Sequence, residues 1–155
     1  MIARSMRSDD LDGLLTLLTQ QPEGGTGIER ASLEQALCIL FRQPELGAVF
    51  VLDERGTLVG GAVVTIGFSL DVGGRAAVVN AICVRSPYRD RGHGRLLIDR
   101  ILAFARRAEC RAIVLEPPLD DHQTCCWYDD LGFEHRHREY CSASVTELSL
   151  RLDAA

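Results

Sequence analysis

Residues 82–97 read ICVRSPYRDRGHGRLL, and this stretch decides the fold. An apolar segment, Ala76–Val84, runs into a basic turn with two glycines, and an amphipathic helix begins directly after that turn. Such a turn leaves several backbone N–H groups unpaired at a helix N-terminus, where the helix dipole also favours negative charge. Three cationic side chains surround the same point: Arg89, Arg91 and Arg95. The stretch therefore predicts a binding site for a pyrophosphate or another polyanion.

The spacing within the turn narrows the choice of ligand. Arg89 to Gly94 reads R-x-x-G-x-G, which is neither the dinucleotide pattern G-x-G-x-x-G nor followed by the G-K-[ST] of a P-loop. A plain left-handed turn would need glycine for steric reasons alone and would not need three arginines. The turn resembles the acyl-CoA signature of the GNAT superfamily of N-acyltransferases. The resemblance implies acetyl-CoA as co-substrate, held by Arg89, Arg91, Gly92, His93, Gly94 and Arg95.

The strand before the turn and a later segment add to this resemblance. In the family, the strand offers backbone groups to the pantetheine arm and the thioester, which maps to Ile82, Cys83 and Val84, with one N–H as a single-donor oxyanion hole. Trp127–Phe133 resembles a second signature, in which a tyrosine precedes a Gly-Phe pair by four residues. The resemblance implies that Tyr128 protonates the departing thiolate, and a phenol pKa of about 10 suits that transfer. The plainer interpretation is a helix residue with its ring in the core.

The sequence departs from the family pattern at two positions. Asp121 stands where members often carry an asparagine that touches the CoA arm, and we include it among the expected CoA-binding residues. Asn80 stands where many members carry a glutamate as general base, and an amide cannot accept that proton at neutral pH. The base is then Glu116, Asp120, Asp121, His122 or a chain of waters. Glu116 ranks first, because the end of its strand should border the acceptor cleft.

Composition limits the class of protein. We expect the 155 residues to form one domain, a single GNAT domain over residues 1–155. A net charge of −5 argues against nucleic acid or an anionic membrane as the partner. No apolar run approaches the roughly 20 residues of a membrane span, and the first residues lack a signal-peptide core, so we expect a cytoplasmic protein. The six cysteines match no zinc spacing and are expected to be reduced packing residues.

Hydrophobic periodicity predicts the order β-α-α-β-β-β-α-β-α-β-β, an α/β (α+β) fold with a mixed central sheet and helices on both faces. That is the element order of the GNAT fold. Glycine-bearing connectors predict antiparallel hairpins, the crossover around the turn predicts a parallel pair, and Ser32 with Gln35 predicts a capping box for the second helix. The predicted strands are Ile2–Met6, Ala48–Leu52, Thr57–Phe68, Arg75–Val84, Ala112–Leu115, Phe133–Cys141 and Val145–Leu152, and the last two helices are His93–Glu109 and His122–Leu131.

Two further patterns have plain interpretations. His135 and His137 share one face of a predicted strand, but no third ligand is evident, so we expect a solvated face and no metal. Cys125 and Cys126 are adjacent on a predicted helix and point about 100° apart, so we expect packing residues and not a redox pair.

The sequence as a whole predicts an enzyme that moves an acetyl group from acetyl-CoA to a primary amine of a small molecule or a protein, by direct transfer in a ternary complex. The resemblance also implies a homodimer, because GNAT domains of this size commonly pair through late strands. The hairpin predicted over Phe133–Leu152 has an edge that a partner could cover. The alternative from another class is a non-catalytic acyl-CoA-binding regulatory module, which needs neither Tyr128 nor a base. A toxin-like enzyme acting on aminoacyl-tRNA is a third possibility, which the acidic net charge disfavours.

Overall fold

The computed structural model describes residues 1–20, 29–116 and 122–134. The chain divides into two compact units, Met1–Pro118 and Leu119–Ala155. The first unit holds the sheet, three helices and the glycine-rich turn, and the described part of the second holds one helix. The single domain expected over residues 1–155 stays a prediction.

The first unit is built on one mixed sheet of five strands in the order β1-β2-β3-β4-β5. The pairings of β2 with β3 and of β3 with β4 are antiparallel and the pairing of β4 with β5 is parallel, as the connectors and the crossover predicted. Strand β1 also pairs with β2 in antiparallel orientation. The β2–β3 connector turns at Arg55 and Gly56, whose φ angles of 52° and 88° are both left-handed, as a tight hairpin requires. The strands are β1 Ile2–Ser5, β2 Gly47–Glu54, β3 Thr57–Ser69, β4 Gly74–Val84 and β5 Ala112–Leu115.

Four α-helices complete the described elements: α1 Leu11–Thr19, α2 Arg30–Arg42, α3 His93–Arg107 and α4 His122–Asp130. Short 3-10 turns precede α1 at Ser8–Asp10 and α3 at Ser86–Tyr88. The predicted fold class and the predicted order through the fourth helix are therefore confirmed. Of the predicted closing hairpin, Phe133 and Glu134 are not in a strand, and the remainder lies outside the described residues.

The helices of the first unit lie on both faces of its sheet, as predicted. Val49 and Val51 of β2 join a buried cluster with the leucines of α1 and α2, among them Leu14 and Leu37. Phe50, between the two valines, meets Phe104 of α3 edge-on, with ring centroids 6.2 Å apart. Because successive strand residues point to opposite faces, α1 and α2 cover one face and α3 covers the other. Burying one such leucine contributes about 1.5–3 kcal/mol.

The predicted capping box of the second helix is wrong. Helix α2 begins at Arg30 with Glu29 as its N-cap, so Ser32 lies inside the first turn and cannot cap it. The earlier start is supported by the N–H of Leu33, which donates to the carbonyl of Glu29 at 3.1 Å. Arg30 also forms an exposed ion pair with Asp12 of α1.

Strand β4 carries a β-bulge at Asn80. Ala81 lies opposite Val63 of β3 and Val79 lies opposite the next residue, Val64, so Asn80 between them has no β3 residue opposite it. A bulge bends its strand and disrupts the ladder locally. Among the described residues, β5 pairs with β4 only along Ala76–Val79, so the parallel ladder ends just before the bulge.

Candidate functional site

The carboxyl half of β4 presents an open edge. Beyond Val79, this half strand pairs with β3 on one side, and within the described residues it has no strand partner on the other. Within that part of the chain, backbone groups that point to the second side are not paired with another strand. The basic turn and helix α3 follow directly from this half strand.

The hydrogen-bond ladder decides which backbone groups face that edge. The N–H of Arg85 donates to the carbonyl of Val59 on β3 at 2.8 Å. Because bonded and non-bonded pairs alternate in an antiparallel ladder, Cys83 also directs its N–H and C=O to β3, while Ile82 and Val84 direct theirs to the open edge. The carbonyl of Val84 accepts a hydrogen bond from Arg89 Nε at 2.9 Å. Of the three residues expected from the resemblance, Ile82 and Val84 direct their backbone groups to the open edge, and Cys83 directs its backbone groups to β3.

The side chain of Cys83 lies in the hydrophobic cluster beneath α1 and α2. It is buried, and this burial raises the pKa of the thiol to about 11. The thiolate is the nucleophilic form of cysteine, so a thiol with this pKa stays inert near neutrality. Cys83 is therefore unsuited to carry an acyl group as a covalent intermediate.

The turn uses its two glycines in different ways. Gly92 is the N-cap of α3 with a φ of 75°, and a Cβ built on it would meet no atom within 4 Å. Gly94 lies in the first turn of α3 and does not have a positive φ. A helical glycine costs about 1 kcal/mol relative to alanine, so backbone conformation does not account for Gly94. Close approach of a ligand to the helix N-terminus would account for it.

The cationic side chains of the turn are held by local contacts. Arg89 is tied to the end of β4 through the carbonyl of Val84, as described above. Arg95 pairs with Asp99 one helical turn later at 3.0 Å, with both side chains more than half exposed. Arg91 is exposed. The structure thus gathers the predicted residues of the turn at one helix N-terminus, next to the open edge of β4.

His93 and Tyr88 brace the turn from within. Nδ1 of His93 lies 2.8 Å from the carbonyl oxygen of Tyr88. A carbonyl can only accept, so Nδ1 carries the proton and donates it there. The carboxylate of Glu54 at the end of β2 raises the pKa of the Tyr88 phenol. The turn therefore lies near the β2–β3 hairpin and is joined to the end of β4 through Arg89.

Glu116 follows the last residue of β5 and is exposed. It comes directly after Leu115, the partner of Val79, just as Asn80 comes directly after Val79. Asn80 is also exposed, and its Oδ1 accepts a hydrogen bond from Thr65 Oγ1 at 2.9 Å. The structure therefore brings Glu116, the first-ranked base, to the place where the parallel ladder ends.

The second unit holds the remaining predicted residue that the structure describes. Tyr128 of α4 is buried, and its ring contacts those of Trp127 and Phe133, with centroids 4.9 and 5.5 Å away. Helix α4 ends in a left-handed Gly132, and the N–H of Phe133 donates to the carbonyl of Tyr128 at 3.0 Å. The predicted CoA-binding residue Asp121 lies outside the described residues, as do His135 and His137.

Neither a metal-binding cluster nor a membrane-spanning helix is found among the described residues. Over residues 1–20, 29–116 and 122–134, no three histidine, cysteine or acidic side chains are grouped so that they could hold a metal ion. Within the same ranges, no helix is long and apolar enough to cross a membrane.

A cleft of about 420 Å³ lies at the other end of α3. Its walls include Phe50, Phe104, Arg75 and Arg107. Phe104, the first α3 residue in its walls, lies 11 residues, or about 16 Å, beyond the start of α3 at His93. The cleft is therefore distinct from the site at the open edge of β4.

Comparison with known proteins agrees with this geometry. A family model described as "Acetyltransferase (GNAT) family" matches residues 11–133. No curated protein sequence matches the chain significantly.

Three solved structures illustrate the similarity of fold. A transcriptional regulator from Bacillus halodurans C-125 has a TM-score of 0.80 and 20% identity, covering 92% of this chain and 98% of its own. Aminoglycoside 6'-N-acetyltransferase AAC(6')-IG from Acinetobacter haemolyticus has a TM-score of 0.78 and 17% identity, covering 94% and 99%. AAC(6')-Iy, in complex with the bisubstrate analog CoA-S-monomethyl-acetylneamine, has a TM-score of 0.76 and 22% identity, covering 92% and 96%.

Proposed function

Because the chain belongs to the GNAT family of acetyltransferases and is therefore an acyltransferase, we propose that it acetylates a primary amine by direct transfer from acetyl-CoA in a ternary complex. The observation that carries the proposal is the open edge of β4 beside the turn. Ile82 and Val84 direct backbone groups to that edge, and Arg89 joins its end to the N-terminus of α3.

The chemistry of this surface fits acetyl-CoA. The N-terminus of α3 offers backbone N–H groups and three arginines to the pyrophosphate. Open space around Gly92 leaves room for it, and Gly94 in the first turn likewise carries no side chain. The edge of β4 offers N–H and C=O groups to the amide-bearing pantetheine arm. A backbone N–H of Ile82 or Val84 would stabilise the negative charge that develops on the thioester oxygen.

Direct transfer is supported by the state of Cys83. This cysteine lies within the strand that would line the thioester, but its thiol has a pKa of about 11 and points into the core. An acyl-enzyme formed on it would require a thiolate that is scarce at neutral pH. The amine itself is then the attacking nucleophile.

We assign the two proton transfers to Tyr128 and Glu116. Glu116 would accept the proton of the attacking amine from its place at the end of β5, where its carboxylate is exposed to solvent. Tyr128 would protonate the thiolate of CoA, and the support for this role is the sequence Trp127–Phe133.

A two-part experiment tests the proposal. Calorimetric titration with acetyl-CoA measures binding, and release of free CoA in the presence of a panel of primary amines measures turnover. Because two structural relatives are aminoglycoside acetyltransferases, the panel includes aminoglycosides beside amino alcohols, polyamines and peptides. Turnover of any amine supports the enzyme. Tight binding of acetyl-CoA without turnover across the panel would favour the regulatory module, and absence of binding would refute both.

A further inference from the structure

Asn80 and Glu116 occupy equivalent positions on neighbouring strands. Each directly follows a member of the last parallel pair, Val79 and Leu115. Neighbouring strands lie about 4.8 Å apart where they pair, so side chains that follow the last pair are close enough for one small ligand. Both side chains are exposed.

The two side chains also share a face of the sheet. Thr65 lies two residues after Val63, a member of the cluster under α1 and α2, so the Thr65 side chain is on that face. Its hydroxyl donates to Asn80 Oδ1 at 2.9 Å, which places the Asn80 side chain on the same face. Leu115 shares the opposite face with Val79, and extending the alternation of β5 by one residue past its end at Leu115 places Glu116 on the face of Asn80.

The hydrogen bond from Thr65 determines which atoms of the Asn80 amide are left for a ligand. With Oδ1 accepting from the hydroxyl, the amide group is left to present Nδ2 and its two N–H donors. Such a donor does not recognise an ammonium ion, but it does recognise a hydroxyl or carbonyl oxygen. The carboxylate of Glu116 has the opposite preference, because it accepts hydrogen bonds and attracts a cation. The end of the parallel ladder therefore offers one hydrogen-bond donor, Nδ2 of Asn80, and one acceptor, the carboxylate of Glu116.

We propose that Asn80 and Glu116 together recognise the acceptor, and that the acceptor is a primary amine with a hydroxyl or carbonyl oxygen on the neighbouring carbon. Glu116 takes the amine, and Asn80 Nδ2 donates to the oxygen and fixes the orientation of the amine. The inference rests on the proposed function and adds the substrate class. Asn80 is a positioning residue in this arrangement, and Thr65 positions Asn80.

A matched pair of amines tests the inference. trans-2-Aminocyclohexanol carries the oxygen and cyclohexylamine lacks it, and kcat/KM for both is measured by CoA release. We expect the wild-type protein to prefer the amino alcohol. Asn80→Ala should lower kcat/KM about tenfold for the amino alcohol, the loss of one neutral hydrogen bond, and less than twofold for cyclohexylamine.

Variants of the neighbouring residues complete the test. Thr65→Val removes the hydroxyl that orients Asn80 and should lower the preference for the amino alcohol, and Thr65→Ser should restore it by returning the hydroxyl. Glu116→Gln should slow both amines by a similar factor, since both need the carboxylate.

The outcomes separate the inference from the function on which it rests. Equal losses for the two amines in Asn80→Ala, or a wild-type protein that does not prefer the amino alcohol, would overturn the inference alone. A protein that releases CoA with other amines of the panel and with neither cyclohexane amine would also overturn only the inference. A protein that binds acetyl-CoA and acetylates no amine would overturn both.

Discussion

The guanidinium of Arg4 holds the carboxylate of Asp10 through two hydrogen bonds, at 2.6 and 2.9 Å. The same guanidinium reaches Asp53 at the end of β2, at 2.8 and 3.1 Å. The network therefore joins β1, the start of α1 and the β2–β3 hairpin. Arg4 and the N–H of Arg7 both contact the Asp10 carboxylate, and the contact with Arg4 has the larger part in lowering its pKa.

Arg4→Gln should destabilise the fold, because it leaves the largely buried charge of Asp10 without its partner. We expect a loss of about 2 kcal/mol in the free energy of unfolding, measured by urea denaturation at pH 7. Since the folded pKa of Asp10 is lowered, the contribution is present above the usual aspartate range and disappears as pH falls below about 4. The wild type should therefore approach the variant in acid. Arg30→Gln, which breaks the exposed pair with Asp12, is the control and should cost less than about 1 kcal/mol.

The buried thiol of Cys83 should make the free energy of unfolding depend on pH in the alkaline range. Its pKa is raised from 9.0 to about 11, so the folded protein keeps the proton that the unfolded chain releases. Stability should therefore fall between pH 9 and pH 11 in the wild type and fall less in Cys83→Ala. The same variant should retain turnover at pH 7, because the thiol is not the nucleophile. Loss of turnover in a folded Cys83→Ala protein would point instead to an acyl-enzyme.

Gly94→Val should abolish acetyl-CoA binding, because a branched side chain would stand in the path of the pyrophosphate. Gly94→Ala makes a finer comparison: the helix should gain up to about 1 kcal/mol, while the added methyl group weakens binding. Titration calorimetry and thermal unfolding give the two quantities. An unchanged affinity in folded Gly94→Val would remove the pyrophosphate from this turn.

Tyr128→Phe should lower kcat by roughly 100-fold and leave the affinity for acetyl-CoA nearly constant. The change keeps the ring and its contacts with Trp127 and Phe133 and removes only the hydroxyl. Steady-state kinetics with an amine found in the panel would measure it. If turnover survives intact, Tyr128 serves the core of its helix and not the reaction.

We expect a homodimer at micromolar protein concentration, formed through the strands that the sequence predicts between residues 133 and 152. Light scattering during size-exclusion chromatography measures the mass directly. A monomeric mass across the concentration range would contradict this expectation.

Sequence patterns alone predicted the order of the described elements and the position of the glycine-rich turn before α3. Glycine-bearing connectors set the hairpins, since left-handed residues such as Gly56 are costly for other side chains. The strand, turn and helix from Ala76 to Arg107 could be predicted because the sequence signals for them are local: apolar periodicity, glycine spacing and charge. The start of α2 was wrongly predicted from Ser32, because the helix begins three residues earlier, with Glu29 as its N-cap, and a local capping pattern does not show where a helix begins in the folded chain.

Only the tertiary structure decided which groups face the site. The bulge at Asn80 and the end of the ladder at Val79 and Leu115 depend on pairing between distant strands, which no local pattern records. The register of β4 against β3 also determines how neighbouring residues of β4 are oriented. It places the side chain of Cys83 in the core and directs the backbone groups of Ile82 to the open edge. The orientation of Asn80 came from Thr65, 15 residues away in the chain. A one-residue change of register would have reversed each of these assignments, because strand side chains alternate between faces.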